Sequence, residues 1–353
     1  VTARGRTPLA GIVLVLTTTV VLSIALALAG VPSAVLFGSL LGGMAHALTS
    51  PTEIKVPVAA FRLGQALIGV TIGTLVSVEA LRRMVGEIGP ILLVTLGTIV
   101  LSLLTGRLLA LRRDVSPVTG AFALVAGGAS GVVAIARDLG ADDRVVTVVQ
   151  YLRVLLVLVT MPLVTAVVFD PASGVGTLAG GDGSLGAASL AYVALTVGGG
   201  LLVARVVPVS TMTLLAPLTI AAVVVSAGWL GEVSVPTPLQ WLGYALIGVQ
   251  VGLRFTRASL ASITRMLPVV TGLIIAMIVL SALMGSALAW LTSVDGLTAY
   301  LATTPGGLFA VLATAADSGA DVTYVMAVQL FRLLVVLLLT PLLARWLRGR
   351  APR

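Results

Sequence analysis

The sequence predicts an all-α polytopic membrane protein made of two inverted repeats, each with five transmembrane helices and a re-entrant or broken helical hairpin. Three observations carry this: composition, an internal duplication, and the placement of basic residues. Of 353 residues, 58% are hydrophobic and only 10% charged, and the mean hydropathy is +1.16; soluble domains carry about a quarter charged residues. The segment DLGADDRVVTVVQYLRVLLVLVTMPL, from Asp138, returns as DSGADVTYVMAVQLFRLLVVLLLTPL, from Asp317. Asp138, Asp142, Gln150, Arg153 and Pro162 thereby recur as Asp317, Asp321, Gln329, Arg332 and Pro341, each 179 positions on. The same offset carries Gly127 and Gly128 onto Gly306 and Gly307, and ALIGV with Gly73 onto ALIGV with Gly252. One ancestral half was duplicated, with no gap over about a hundred residues.

Crossing about 30 Å of hydrocarbon takes about 20 helical residues. Twelve apolar segments fill the chain: 8–29, 32–49, 57–78, 86–111, 117–137 and 143–169, then 186–207, 211–230, 238–253, 266–291, 297–316 and 322–347. All are expected to be helical, because lipid offers the backbone no other open structure. The first follows Arg4 and Arg6 like a signal peptide, but its apolar run of about 20 residues exceeds a usual h-region and no clear small-residue cleavage site follows, so it is expected to be retained. The fifth segment of each half is interrupted. One breaks at Ala126, Gly127, Gly128, Ala129, Ser130 and Gly131, the other at Thr303, Thr304, Pro305, Gly306 and Gly307. Glycine permits a sharp reversal, and proline removes a donor and restricts the residue before it.

If all twelve segments crossed, Arg82, Arg83, Arg137, Arg144, Arg205, Arg254, Arg257 and Arg265 would face outward, against the positive-inside rule. If the fifth segment of each half instead enters and leaves on one side, only Arg82 and Arg83 lie outside, and Arg153 and Arg332 are intramembrane. Each repeat then has an odd number of spans and the second is inverted. The organisation is repeat 1 at 1–169 with its hairpin at about 117–137, an external Gly-rich linker at 170–186, and repeat 2 at 187–353 with its hairpin at about 297–316. Both termini are expected in the cytoplasm, with the lipid bilayer as the surrounding partner.

The net charge of +8 and pI of about 10.9 would suggest nucleic acid in a soluble protein. Here they follow from the bias of cytoplasmic loops, so no nucleic-acid partner is expected. The chain has no Cys and a single His, His46. That excludes thiolate metal sites, cysteine nucleophiles and an all-histidine cluster. No metal site, no cofactor and no catalytic residue is expected.

An arginine inside an apolar run is a functional candidate by default. Arg153 lies nine residues beyond Arg144, which at 1.5 Å per residue is about 13 to 14 Å, close to mid-membrane. Arg332 is placed alike. Gln150 and Gln329 precede the arginines by three and share their helix faces. A guanidinium beside an amide suits a carboxylate or another planar oxyanion. Equally, each arginine can cap a hairpin carbonyl or pair with Asp138, Asp142, Asp317 or Asp321 to hold the hairpin. Half-helix ends at Gly127, Gly128 and Ser130, and at Thr303, Thr304, Pro305, Gly306 and Gly307, would face a solute from opposite sides of the membrane.

The substrate-binding candidates are therefore Arg153, Arg332, Gln150, Gln329 and these hairpin residues, with Asp138, Asp142, Asp317 and Asp321 as coupling or hairpin-supporting groups. All thirteen carboxylates fall at segment ends or in loops, which disfavours a mid-span proton relay. Na⁺ or H⁺ is the expected coupling ion, Na⁺ being held by broken-helix carbonyls with help from Ser130, Thr303 or Thr304.

The recurring GG, GAD and QxxR pattern is Gly127-Gly128, Gly140-Ala141-Asp142 and Gln150-x-x-Arg153, then Pro305-Gly306-Gly307, Gly319-Ala320-Asp321 and Gln329-x-x-Arg332. It resembles the AbrB-type membrane duplication family over nearly the whole chain. The block TPGGLFAVLATAADSGAD is the more specific part; the first half has Ala126 where the second has Pro305. The family is similar to bacterial inner-membrane transporters of the cation/proton antiporter and bile-acid symporter superfamily. That resemblance implies inverted repeats, a core moving against a scaffold, and often a homodimer. Some members carry the labels ammonia monooxygenase or transcriptional regulator. One histidine cannot supply a copper site, and no soluble DNA-reading module is present.

The function expected is secondary transport of a small anionic organic solute across the bacterial cytoplasmic membrane by alternating, elevator-like access. The alternative is a channel-like passive facilitator or exporter. A membrane enzyme would need a nucleophile, base or metal set that is not visible.

Overall fold

In the computed structural model, residues 8–50, 53–76, 78–112, 114–125, 136, 140–169, 186–207, 211–228, 233–257, 261 and 264–348 are described. Every regular element among the described residues is a helix. They are α1 (Pro8–Leu28), α2 (Ala34–Thr49), α3 (Val58–Gly73), α4 (Val78–Gly86), α5 (Ile88–Leu109), α6 (Pro117–Leu124) and α7 (Asp143–Val168). The second half gives α8 (Ala187–Val206), α9 (Met212–Ser226), α10 (Thr237–Gly252), α11 (Leu267–Leu291), α12 (Gly296–Thr303), α13 (Leu308–Ser318) and α14 (Val322–Arg348). Five are long and apolar enough to cross a membrane: α5, α7, α8, α11 and, within α1, Gly11–Leu28. Their outer faces carry exposed Val13, Leu16, Leu93, Leu195 and Leu283, suited to lipid rather than water. This is the construction of a multi-pass membrane protein.

The duplication holds element by element. At the 179-residue offset, α3 falls on α10, α6 on α12 and α7 on α14. At 178, α2 falls on α9, so the repeat extends to helices with little residue identity. The Gly-rich linker expected at 170–186 lies outside the described residues, apart from Gly186.

The chain divides into two compact units, one of Val1–Ala80, Pro162–Arg257 and Leu312–Thr323, the other of Leu81–Met161, Ala258–Val311 and Tyr324–Arg353. In the first unit, α2 lies along α10 and α9 along α3. A side chain at Gly248 would collide with Leu36 and Ser39, and one at Gly252 with Leu40 and Met44; Gly69 and Gly73 stand in the same relation to Leu214 and Leu218. Contact positions rise together in each pair, so α2 and α10 run in the same sense, as do α9 and α3. Gly64 and Gly243, which occupy equivalent positions, meet: a Cβ at Gly64 would lie 3.3 Å from the Gly243 carbonyl, and one at Gly243 3.4 Å from the Gly64 carbonyl.

The second unit holds α5, α6, α11, α12 and most of α7 and α14. α6 packs on α5 through Gly106 and Gly120, and α12 packs on α11 through Gly285 beside Ala299 and Tyr300. These glycine contacts set backbone on backbone, the close approach that favours helix association in lipid.

Candidate functional site

The site begins with two eight-residue half-helices in the second unit. α6 starts at Pro117 behind Ser116, whose Oγ accepts from the Thr119 N–H at 3.1 Å; α12 starts behind Asp295, whose Oδ1 accepts from the Thr298 N–H at 2.9 Å. Such caps satisfy amides that a helix start leaves open. Both half-helices stop in the same way. Thr304, before Pro305, is extended at φ −57°, ψ 127°, and Val125 matches it at φ −63°, ψ 123° although Ala126 follows. Proline at the second break imposes this conformation; the first break reaches it without one.

A helix that stops inside a protein leaves carbonyls unpaired. The QxxR motifs supply the donors. Gln150 Nε2 donates to the Phe122 and Val125 carbonyls, both at 2.9 Å, and Gln329 Nε2 donates to the equivalent Leu301 and Thr304 carbonyls at 3.0 and 3.1 Å. Arg153 Nη1 donates to the Leu124 carbonyl at 3.1 Å, and Arg332 Nη1 to the Thr304 carbonyl at 3.1 Å. A cation at the carboxyl end of a helix also meets the favourable end of its dipole. Each glutamine and arginine thus holds the end of the half-helix preceding it in its own copy.

The two copies differ in which carbonyl the arginine meets, Thr304 being equivalent to Val125 and not to Leu124, and in a second respect. Arg332 Nη2 donates to Gln329 Oε1 at 2.5 Å, closing the pair. In the first copy, Gln150 Oε1 and Arg153 Nε are buried with no hydrogen-bond partner among the described residues. Gln150 is 0% exposed and Arg153 3%. Unsatisfied buried groups of this kind are rare and call for an explanation.

Both guanidiniums lie in one compact unit. No carboxylate pairs with either among the described residues; ion pairs there include Lys55 with Glu53 and Arg112 with Asp114, both with exposed members. Buried charges are ordinarily paired. Two like charges with no counter-ion among the described residues are a candidate site for an anion.

The second break also touches the other copy. A side chain at Gly306 would meet Val157, and one at Gly307 would meet Val154, both on α7 beside Arg153. Reciprocally, Val125 packs with Ile99 and with Val336 of α14. These valine contacts carried no signal that sequence reasoning could use. α13 leads away from the second break, its first carbonyl bonds running from Ala310 and Val311 to Gly307, so the amides just before them form a helix start.

The remaining candidates fall as follows. Gly127, Gly128, Ser130 and Asp138 lie outside the described residues. The hydroxyls of Thr303 and Thr304 bond back to carbonyls of their own helix, at Ala299 and Tyr300. Pro305 is buried, and Gly306 and Gly307 are half-buried. Asp142 caps α7, its Oδ1 accepting from the Arg144 and Val145 amides at 3.0 and 3.2 Å. Asp321 immediately precedes α14, the equivalent place. The glycines of the GAD motif are left-handed, Gly140 at φ 74° and Gly319 at φ 76°, and the amides of Ala141 and Ala320 reach back to the carbonyls of Ala136 and Ala315. That pattern closes a helix. The motif therefore ends one helix and begins the next. Asp317 belongs to the first unit, where it accepts from Ser33 and Tyr244; neither partner was singled out from the sequence.

Comparison with known proteins agrees with this description. The family model for AbrB, "Transition state regulatory protein AbrB", matches residues 35–348. An Escherichia coli (strain K12) protein named "Putative regulator AbrB" is 33% identical over 333 residues, covering 94% of this chain and 95% of its own. The "Uncharacterized protein YhjN" of Bacillus subtilis (strain 168) is 25% identical over 297 residues, covering 79% and 76%. With a matched model over most of its length, two capped half-helices and the recurring QxxR donors that hold them, the chain belongs to the AbrB family of membrane proteins.

Proposed function

We propose that the chain is a secondary transporter of a small anionic organic solute, working by alternating access in a bacterial cytoplasmic membrane with both termini inside. The observation that carries this reading is the pair of buried guanidiniums, Arg153 and Arg332, in one unit with no carboxylate paired to either among the described residues. A carboxylate solute supplies the missing charge and takes the free Arg153 Nε–H. The amino end of α13 adds a positive dipole end beside the same break.

Inverted topology is part of the proposal. It is supported by helix directions in the first unit, where the third helix of the second copy, α10, runs along the second helix of the first, α2, in the same sense. Repeats of one orientation would set that pair in opposite senses if successive spans alternate. The function labels of the relatives are not needed: a regulator's name says nothing about these buried charges.

The test is thermal unfolding of the purified protein with a panel of mono- and dicarboxylates, each beside its neutral methyl ester. A ligand at 100 times its dissociation constant adds about 2.7 kcal/mol to the folded state. At least one carboxylate is expected to raise the melting temperature while its ester does not. Equal response to acid and ester, or none to any acid, overturns the anion reading. With the identified acid in proteoliposomes, saturable counterflow separates a carrier from a passive pore.

A further inference from the structure

The first unit contains a partly buried polar cluster that the anion site does not use. Asp317 lies in the last turn of α13, one residue before its end. Its Oδ2 accepts from the Ser33 hydroxyl at 2.7 Å and its Oδ1 from the Tyr244 hydroxyl at 3.3 Å; Tyr244 in turn accepts from Gln240 Nε2 at 3.2 Å. Ser33 and Tyr244 are buried. All four residues belong to the same unit.

Two features set this carboxyl apart from a structural ion pair. The groups that touch it are neutral hydroxyls: Ser33 from the start of α2 and Tyr244 from α10. Tyr244 is the titratable group in contact, and Asp321, four residues along the chain, is the nearest charge on the turn into α14. The carboxyl end of a helix also repels negative charge. The amino end of α2 and the Ser33 amide favour an ionised Asp317 and the end of α13 opposes it, while the groups that touch it carry no positive charge.

Ser33 adds an independent sign. At φ 54°, ψ 37° it is the one non-glycine residue with positive φ among the described residues. A non-glycine residue held there is strained and persists only where its surroundings fix it. Here the strained turn aims a hydroxyl at Asp317. The cluster is particular to the second copy, because Gln65 stands at the position equivalent to Tyr244.

We propose that Asp317, with Ser33 and Tyr244, is a proton-binding site that couples solute transport to proton movement; the coupling rests on the transporter reading above. The step is the addition of one proton to a carboxylate oxygen, giving a neutral carboxyl that both donates and accepts. The bonds from Ser33 and Tyr244 then lose their charge assistance, and such bonds are about twice as strong as neutral ones. Protonation thus loosens the tie between the end of α13, the start of α2 and the middle of α10. The amino end of α13 carries the Gly306-Gly307 break, so one helix bears both the break and the proton site. Sodium is disfavoured because the four side-chain oxygens of Asp317, Ser33 and Tyr244 fall short of the roughly six a hard cation gathers.

The test uses the full chain in lipid and has two separate readouts. Infrared difference spectra across a pH titration are expected to show a protonated-carboxyl C=O band in the wild type. It should be lost in Asp317→Asn, shifted in Tyr244→Phe and Ser33→Ala, and kept in Glu53→Gln, an exposed control. A band set unchanged by Asp317→Asn overturns the proton site. So does a band removed at fixed pH by adding NaCl but not choline chloride, which assigns the site to sodium. In the second readout, proteoliposomes loaded with pyranine report proton movement when the stabilising carboxylate is added outside. Wild type is expected to move protons with the acid, and Asp317→Asn to keep solute counterflow but lose the proton signal. Counterflow in the wild type without a proton signal overturns coupling. Titration of the Asp317 band with no solute flux in any variant would instead locate the failure in the transporter reading.

Discussion

At the residue scale, the QxxR motifs do two things with one pair of side chains: they finish a half-helix and they leave charge uncancelled. The balance differs between copies. Removing Arg332 breaks two hydrogen bonds, one to the Thr304 carbonyl, which keeps its bond from Gln329 Nε2, and one to Gln329 Oε1, whereas removing Arg153 breaks the single bond to Leu124. Each group left unpaired in a buried site costs about 1–3 kcal/mol. Arg332→Ala is therefore expected to lower stability in detergent more than Arg153→Ala, as read by thermal unfolding. Anion-dependent stabilisation should rank the other way, with Arg153→Ala the more damaging because its Nε is free to meet a ligand. Equal effects of the two substitutions on both readouts would remove the division of roles. The arginines and glutamines were legible from the sequence through their recurrence and their cost in an apolar run. Which N–H groups are spent on carbonyls was not, because that depends on where a half-helix ends in space.

At the element scale, the GAD motif is a joint. Gly319 at φ 76° reverses the chain after α13, and Asp142 in the first copy caps α7. Gly319→Ala forces a side chain into the left-handed region and should cost about 1–2 kcal/mol. Asp142→Ala removes a cap worth about 1 kcal/mol. Both are checked by unfolding of the purified protein, and full stability in either would show that the joint is not what holds the helix. Between α5 and α6, Arg112 grips Asp114 through Nε at 2.9 Å and Nη2 at 3.1 Å. The hydrogen bond from Arg112 holds the Asp114 carboxyl below its ordinary range. A group depressed in the folded state stabilises above its unfolded pKa and loses that contribution as pH falls through the folded one. The loop contact should therefore persist at mildly acid pH and be lost only in stronger acid, as NMR of the carboxyl carbon would show; the gain is small, since the pair is solvent-exposed. The pairing of α2 with α10, and of α9 with α3, was hidden from sequence reading, because it joins helices of different copies.

At the whole-molecule scale, topology is the quantity to measure. The chain has no cysteine, so each introduced thiol reports alone. If 296–318 enters and leaves on one side, Ser293→Cys and Ser318→Cys should both react with an impermeant maleimide from outside the cell, and Asp114→Cys only after the membrane is opened. Ser293 and Ser318 labelled from different sides would replace the hairpin with a crossing helix and undo the inverted arrangement. Distributed contacts support the topology rather than any single one: Gly64 meets Gly243, and each half-helix break lies against the arginine-bearing helix of the other copy.

Composition and recurrence by themselves determined a helical membrane protein, its duplication, its QxxR and GG motifs and its family, because hydrophobic length, residue cost in lipid and repeated spacing are properties of the chain read in order. The tertiary structure alone decided that the QxxR donors terminate half-helices, that Asp142 is a cap, and that Asp317 meets a strained Ser33 and a buried Tyr244. Those relations join residues as far apart as 33 and 317, and no local pattern encodes which distant hydroxyl a carboxylate will meet; close packing of helices settles it.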